Sequence, residues 1–272
     1  MKTHPFAHAP SFKLVLFLAN VLLLLNVRAR LLFYDGFEYP PGDSLGKLAS
    51  SPTWDNPKGN ITIISSNLAY PGLRNPTGNS VRVLGGSSNL DGARTLAWTA
   101  QNSGALYFSF LFKLDATNGI ATGGNGIPIV NLSSAVSAAK QLISINLINN
   151  SGIHVGVVKY ASSKMPVSSG FFSSGPGADL SADGATIYLI VGKYEWADGP
   201  GNNTATVWVN PDNLGAAESM VNKVSVSLGA GGSRDAGRLY IDRGPGFIID
   251  ELRIATTWAE VTPSGDGMAA AR

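Results

Sequence analysis

At 272 residues, 44% of them hydrophobic and 14% charged, the chain is long for an average domain but ordinary for one large β sandwich, and its apolar content excludes a disordered polymer. No cysteine is present, which excludes disulfides, thiolate metal sites and a cysteine nucleophile. The formal charge of +2 rests on Lys2, Lys13 and Arg28 near the start; the remainder is close to neutral and offers no basic footprint for nucleic acid.

Lys2 and Lys13 precede and flank an apolar run over residues 14–27 (LVLFLANVLLLLNV). That run is shorter than the ~20 residues that span a bilayer, and Val27-Arg28-Ala29 follows it with the residue types of a cleavage site. Residues 1–29 therefore read as a signal peptide cut after Ala29. Arg28 and Arg30 also place positive charge on the far flank, which keeps an uncleaved anchor as the alternative. The expectation is a secreted or cell-surface protein with no membrane span once the signal is removed.

Beyond it the pattern is β throughout. Leu31-Leu32-Phe33-Tyr34-Asp35 reads as a strand, stopped by Pro40-Pro41-Gly42. Further strands are expected at 61–64, 68–70, 81–84, 93–98, 127–130, 142–147, 152–160, 221–228 and 237–241. The clearest covers 105–114: Leu106, Phe108, Phe110, Phe112 and Leu114 share an apolar face, and Tyr107, Ser109, Leu111 and Lys113 a half-exposed one. Residues 185–196 are apolar on both faces and read as a central strand. Along 204–210, Ala205, Val207 and Val209 alternate inward against Thr204, Thr206 and Trp208. A hairpin loop of turn residues, 198–203, separates these two strands. Helix is expected only at 133–140 (SSAVSAAK) and in a turn at 257–261. A Ser/Gly/Pro-rich loop covers 162–177, and 264–272 is a loose tail.

The last strand is Gly246-Phe247-Ile248-Ile249-Asp250-Glu251-Leu252-Arg253-Ile254-Ala255. Strict alternation places Ile248, Asp250, Leu252 and Ile254 on one face and Ile249, Glu251, Arg253 and Ala255 on the other. Glu251 and Arg253 are then poised to pair, while Asp250 among aliphatic residues must be hydrogen-bonded or at a bulge.

Two stretches carry a resemblance. The opening Tyr34-Asp35-Gly36-Phe37-Glu38-Tyr39-Pro40-x-Gly42 and the closing Asp250-Glu251-x-Arg253-Ile254-x-x-Thr257-Trp258 resemble the LamG-like jelly rolls of the concanavalin A-like lectin/glucanase superfamily, as found in large secreted bacterial proteins. The resemblance implies an all-β jelly-roll sandwich of two antiparallel sheets over residues 30–263, with the terminal strands side by side. It also implies a non-catalytic extracellular or cell-surface module recognising glycan or another surface component, surface proteins included. A structural or adhesive domain without a small ligand and a divergent polysaccharide-cleaving enzyme are the alternatives.

The residues give catalysis little to work with. The glucanases of this superfamily carry a Glu-x-Asp-x-Glu or Glu-x-Asp-x-x-Glu run, and the five glutamates here, Glu38, Glu195, Glu218, Glu251 and Glu260, form none. Asp250 and Glu251 are adjacent and expected on opposite faces, and a turn separates Glu195 from Asp198. The one histidine after residue 29 is His154; without a Gly-x-Ser-x-Gly elbow it reads as a structural residue. Gly85-Gly86 and the glycines at 229–232 open no phosphate-binding helix and read as turns.

Sugars present apolar C–H faces and hydroxyl edges, so their sites need aromatic rings beside amides or carboxylates. Tyr194, Glu195, Trp196, Asn202, Trp208 and Asn210 around the 198–203 loop form the candidate ligand patch. The competing reading makes Trp196 and Trp208 a cross-strand pair stapling the hairpin. Calcium is the metal the resemblance implies, and Asp198, Asn202 and Asn203 are its candidate oxygen ligands; ordinary turn formation is the competing account.

Overall fold

The computed structural model describes residues 30–45, 54–55, 61–84, 94–95, 98–117, 119–120, 122–134, 137–160, 166–197, 202–227, 235–242 and 245–265. The expected signal peptide, the end of the tail, Asp198 and the glycine stretches at 85–86 and 229–232 lie outside them. Strands β1 (Leu31–Asp35), β2 (Trp54–Asp55), β3 (Ile61–Ile64), β4 (Ser80–Val83), β5 (Arg94–Thr95), β6 (Ala105–Leu114), β7 (Ile127–Ser134) and β8 (Ser137–Asn149) come first. They are followed by β9 (Ile153–Tyr160), β10 (Pro166–Phe171), β11 (Tyr188–Glu195), β12 (Thr204–Val209), β13 (Lys223–Val226), β14 (Arg238–Ile241), β15 (Phe247–Ala255) and the one-turn helix α1 (Trp258–Val261).

They build two packed sheets. One runs β13-β12-β11-β6-β15-β4-β3, with β1 also paired to β15; the other runs β10-β9-β8-β7-β14-β5-β2. Every strand pairing is antiparallel. The first and last strands meet as expected, with Phe33 opposite Ile254 and Tyr34 opposite Arg253.

The core lies between the sheets. Leu106, Phe108, Phe110, Phe112 and Leu114 of β6 join Leu132, Ile143, Ile145, Leu147, Val155 and Val157 from the other sheet. Each such side chain contributes about 1.5–3 kcal/mol by leaving water. Gly192 of β11 is required by this packing, because a Cβ there would lie 2.2 Å from the Phe108 ring.

The outer face of the first sheet departs from expectation. Tyr107, Ser109 and Leu111 are buried rather than half-exposed, beneath a second apolar cluster that includes Leu68, Leu73, Leu189, Val191, Trp208, Ile248, Trp258 and Val261. Residues 68–70 were expected as a strand; they run as irregular chain over this face, because their backbone is anchored by β15 rather than by a sheet neighbour. Leu68 N–H donates to Asp250 Oδ2 at 2.8 Å.

Asp250 is both hydrogen-bonded and at a bulge. The register against β6 shifts between Asp250 and Arg253, and Glu251 has φ of 52°. The extra residue breaks strict alternation: Phe247 and Ile249 point into the core before it, and Leu252 and Ile254 after it. The adjacent acids therefore do not diverge. Asp250 holds Leu68 N–H, and Glu251 holds Thr77 N–H (2.9 Å), the Tyr34 hydroxyl (2.8 Å) and Arg253 Nη2 (2.8 Å).

Two other expectations change. The short helix expected at 133–140 is not formed by its described residues, which belong to the ends of β7 and β8, where Ser134 pairs with Ser137 and Ser133 with Gln141; pairing between two long strands outweighs the helix propensity of a few alanines. The loop at 162–177 contains β10, paired to β9 from Pro166 through Phe171. Trp54 and Asp55 form β2, a strand too short to leave a periodic signal. The opening motif is explained by Asp35, whose buried carboxylate accepts from Phe37 N–H (2.7 Å), the Tyr39 hydroxyl (2.8 Å) and Trp54 Nε1 (2.5 Å).

Candidate functional site

The structure does not gather the expected patch around the 198–203 loop. Tyr194, Glu195 and Trp196 are consecutive at the end of an extended strand, so their side chains alternate. Tyr194 is 1% exposed within the inter-sheet core, and Trp196 packs against that core with its ring 5.0 Å from Tyr194. Glu195 points the other way, binding Lys193 at 3.0 Å. Trp208 also faces outward but is 1% exposed, its ring 5.1 Å from Trp258 and its Nε1 donating to Ser219 O at 2.9 Å. It therefore presents no face to a sugar, and it is not a cross-strand partner of Trp196, since it pairs with Val191.

Asn210 is a corner residue: its Oδ1 accepts from Leu189 N–H (2.9 Å) and its carbonyl from Asn222 Nδ2 (3.0 Å). Asn203 is buried, accepting from Ala197 N–H (2.9 Å) and donating to the Tyr194 hydroxyl (3.1 Å). Both ends of its amide are thus used within the fold, and exposed Asn202 is the other described member of the calcium set. Those residues as placed do not fit a calcium cage, which takes six to eight oxygens, and among the described residues no group of three or more acids or histidines forms one elsewhere.

Lys193 instead belongs to a tie across the same outer face. It binds Glu218 at 2.8 Å, and the Tyr107 hydroxyl donates to that same carboxylate. Burial raises the Tyr107 pKa, with the Glu218 hydrogen bond adding to it. The contacts of Glu218 with Lys193 and Tyr107 outweigh burial and hold its own pKa low. The group joins the 210–222 segment to the sheet.

The other sheet has a different outer face. Register places Tyr240 opposite Asn131, Asn131 opposite Ser144 and Ser144 opposite Val158. Directly opposed residues share a face, so these side chains form a row across β14, β7, β8 and β9. Arg238 and Ser133 stand opposite one another beside that row, as do Asn146 and Gly156. Their inward neighbours Leu132, Ile143, Ile145, Val155, Val157 and Leu239 all lie in the inter-sheet core.

Polar groups are packed closely here. Asn131 Nδ2 donates to Asp242 Oδ2 at 2.7 Å, Ser144 Oγ donates to Asn146 Oδ1, and Asn146 Nδ2 reaches Asn125 O at 2.5 Å. Tyr160 is hydrogen-bonded to Ser144; burial raises its pKa, with the charge of Asp242 adding to it. Asn131, Ser133, Ser144 and Asn146 are each at most 1% exposed, and Tyr240 is 7% exposed. Yet Asn131 Oδ1, Ser133 Oγ and the Tyr240 hydroxyl have no hydrogen-bond partner, and neither has His154 Nδ1 further along the same face. The two hydroxyls can each donate or accept a hydrogen bond, whereas the amide oxygen can only accept one.

From sequence none of these residues was expected at a ligand site: His154 was read as structural, and Asn131 only begins an Asn-x-Ser tripeptide of little weight. The signal was the alternation Ile143-Ser144-Ile145-Asn146-Leu147 beside Val130-Asn131-Leu132-Ser133. It states that one sheet face is polar, but not that the polar atoms are buried and partly unpaired.

No protein-family model matches the chain, and no curated protein matches it. Among solved structures it is similar to a mutant of the alginate lyase Aly36B in complex with alginate trisaccharide, with a TM-score of 0.51 and 10% identity over 82% of this chain and 97% of that one. It also matches peanut lectin with a 9-residue peptide (TM-score 0.40, 10% identity, 82% and 96% covered). A third match is the catalytic domain of a glycoside hydrolase family 131 protein from Coprinopsis cinerea (TM-score 0.42, 14% identity, 88% and 100% covered). At such identities the likeness bears on fold alone. Two antiparallel sheets, closed by pairing of the first and last strands, make the chain a concanavalin A-like jelly roll in fold.

Proposed function

We propose that this protein binds carbohydrate through the outer face of its seven-stranded sheet, as a non-catalytic LamG-like module. The observation that carries the reading is the set of buried polar atoms without partners, Asn131 Oδ1, Ser133 Oγ and Tyr240 OH, on one face. A buried polar atom left unpaired costs about 1–3 kcal/mol, a cost that a hydroxyl-rich ligand removes where the side chains covering these atoms turn aside for it. The opposite outer face supports the same choice, because an apolar cluster already covers it. The location is proposed to be extracellular or at the cell surface, on the strength of the apolar run at 14–27 and the cleavage-type residues after it.

The test is a glycan-panel binding screen of the purified protein, with Asn131→Ala and Tyr240→Phe beside it. Saturable binding weakened in both variants supports the reading, and folded protein that binds no glycan overturns it. Chain length of each bound glycan is followed by mass spectrometry; accumulating shorter products would replace the binding module by a polysaccharide-cleaving enzyme.

A further inference from the structure

At the far end of the same face, the hairpin joining β8 to β9 brings together His154, Asn150, Phe171 and Asp179. His154 is opposite Ile148, and Phe171 is opposite Gly156 two residues along. The chain after β10 stays on the edge of β9: Phe172 N–H donates to Val155 O (3.0 Å), Val155 N–H to Gly177 O (2.8 Å) and Leu180 N–H to Ile153 O (2.7 Å). Asp179 is thereby carried beside His154, with Oδ1 4.0 Å from Nε2. Gly152 makes the approach possible, since a Cβ there would lie 1.8 Å from Asp179 Oδ1.

The tautomer of His154 follows from its neighbour. Nε2 is 2.8 Å from Asn150 O. A carbonyl only accepts, so Nε2 carries the hydrogen, and in the neutral ring Nδ1 is a bare acceptor. That acceptor has no partner, on a side chain 8% exposed. Beside it the Phe171 ring, 5.7 Å away and edge-on, is 38% exposed. The Asp179 side chain is 74% exposed. Phe171 and Ile148 flank Gly156, where a Cβ would lie 2.4 Å from Ile148 Cδ1.

We infer that His154, Phe171 and Asp179 form an end subsite for one neutral pyranose ring, a role that rests on the carbohydrate reading above. The ring's C–H face lies on Phe171, one hydroxyl donates to His154 Nδ1 and another to the Asp179 carboxylate. The carboxylate selects against a uronate, whose own charge would meet it unscreened by any cation among the described side chains there except His154 when protonated. From Tyr240 on β14 to Phe171 on β10 the face crosses five strands, about 19 Å at the usual strand spacing. The ligand is therefore an oligosaccharide lying across the strands rather than a single sugar.

The experiment titrates cellohexaose, laminarihexaose and a hexameric uronate into the wild-type chain, His154→Gln, Phe171→Ala and Tyr240→Phe by calorimetry. Glutamine keeps an N–H for Asn150 O while removing the Nδ1 acceptor, and Phe171 is exposed enough for truncation to leave the fold intact; thermal melts verify both. The expected result is binding of a neutral hexamer, weakened about fivefold or more by His154→Gln and by Phe171→Ala. Loss in Tyr240→Phe with no change in the other two variants overturns the subsite but leaves the carbohydrate reading standing. Preference for the uronate overturns the neutral class, and no binding of any hexamer to wild type overturns both.

Discussion

The Tyr240 hydroxyl and Asn131 Oδ1 lie in a buried row without hydrogen-bond partners, so for folding alone Tyr240 would do as well as phenylalanine. Tyr240→Phe is accordingly expected to leave stability unchanged or raise it by up to about 1 kcal/mol, while lowering glycan affinity about fivefold, the loss of one hydrogen bond. Denaturant unfolding and titration calorimetry on the same preparation check the two signs. Asp250 makes the converse case of a polar group used wholly by the fold. Burial, opposed by hydrogen bonds from Leu68 and Glu251 N–H and reinforced by the charges of Glu251 and Asp35, pushes its pKa from 3.8 up to about 8. A raised folded-state pKa means that the native protein holds the proton more tightly than the unfolded chain. Its contribution is therefore complete below about 4 and is lost as pH rises through about 8. Burial raises the Asp35 pKa in the same direction. The melting temperature should fall between about pH 5 and about pH 8.5, and fall less in Asp250→Asn, which cannot ionise. Equal slopes in the two proteins would show that Asp250 does not titrate in that range.

The elements that sequence alone reveals are those whose periodicity no special residue interrupts. Phe108, Phe110 and Phe112 on β6, and Ala205, Val207 and Val209 on β12, face the core as their alternation requires. β15 fails that rule because a bulge inserts one residue, and only the misplaced Asp250 hinted at it. The same limit explains 133–140, where alanines have helical propensity but Ser134 pairs with Ser137; long-range pairing is invisible in a local window. For the candidate ligand patch the error was geometric: Tyr194, Glu195 and Trp196 were grouped by proximity in sequence, although a strand must send them to alternate faces. The bulge also has a measurable function within the fold. It directs Glu251 to Thr77 N–H, the Tyr34 hydroxyl and Arg253, whose guanidinium lies 4.3 Å over the Tyr34 ring. Glu251→Ala leaves a 5%-exposed arginine without its carboxylate and is expected to cost about 3–5 kcal/mol. Glu251→Gln, which keeps an acceptor for Thr77, should cost less by urea titration; an equal cost would mean that charge alone holds this corner.

Across the whole molecule the two sheets share one core but differ on their outer sides. On the first, Trp208 and Trp258 lie under the 210–222 segment, with Trp258 Nε1 donating to Asn213 O at 3.0 Å and Trp208 Nε1 to Ser219 O at 2.9 Å. On the second, single polar atoms without partners, Asn131 Oδ1, Ser133 Oγ, Tyr240 OH and His154 Nδ1, are held on β7, β14 and β9. If the first face is structural and the second binds ligand, substitutions should separate the two properties cleanly. Trp208→Ala removes a buried indole and its hydrogen bond, and should cost about 3–5 kcal/mol. Because both residues belong to different sheets with the core between them, that loss should leave glycan affinity within about twofold at temperatures where the variant remains folded. Tyr240→Phe should do the reverse. Melting curves and calorimetric titrations of both variants and their combination decide the matter. Additive effects on stability with a single effect on affinity fit the division of faces. A Trp208→Ala protein that is folded yet has lost binding would move the ligand to the first sheet and require its covering segment to open.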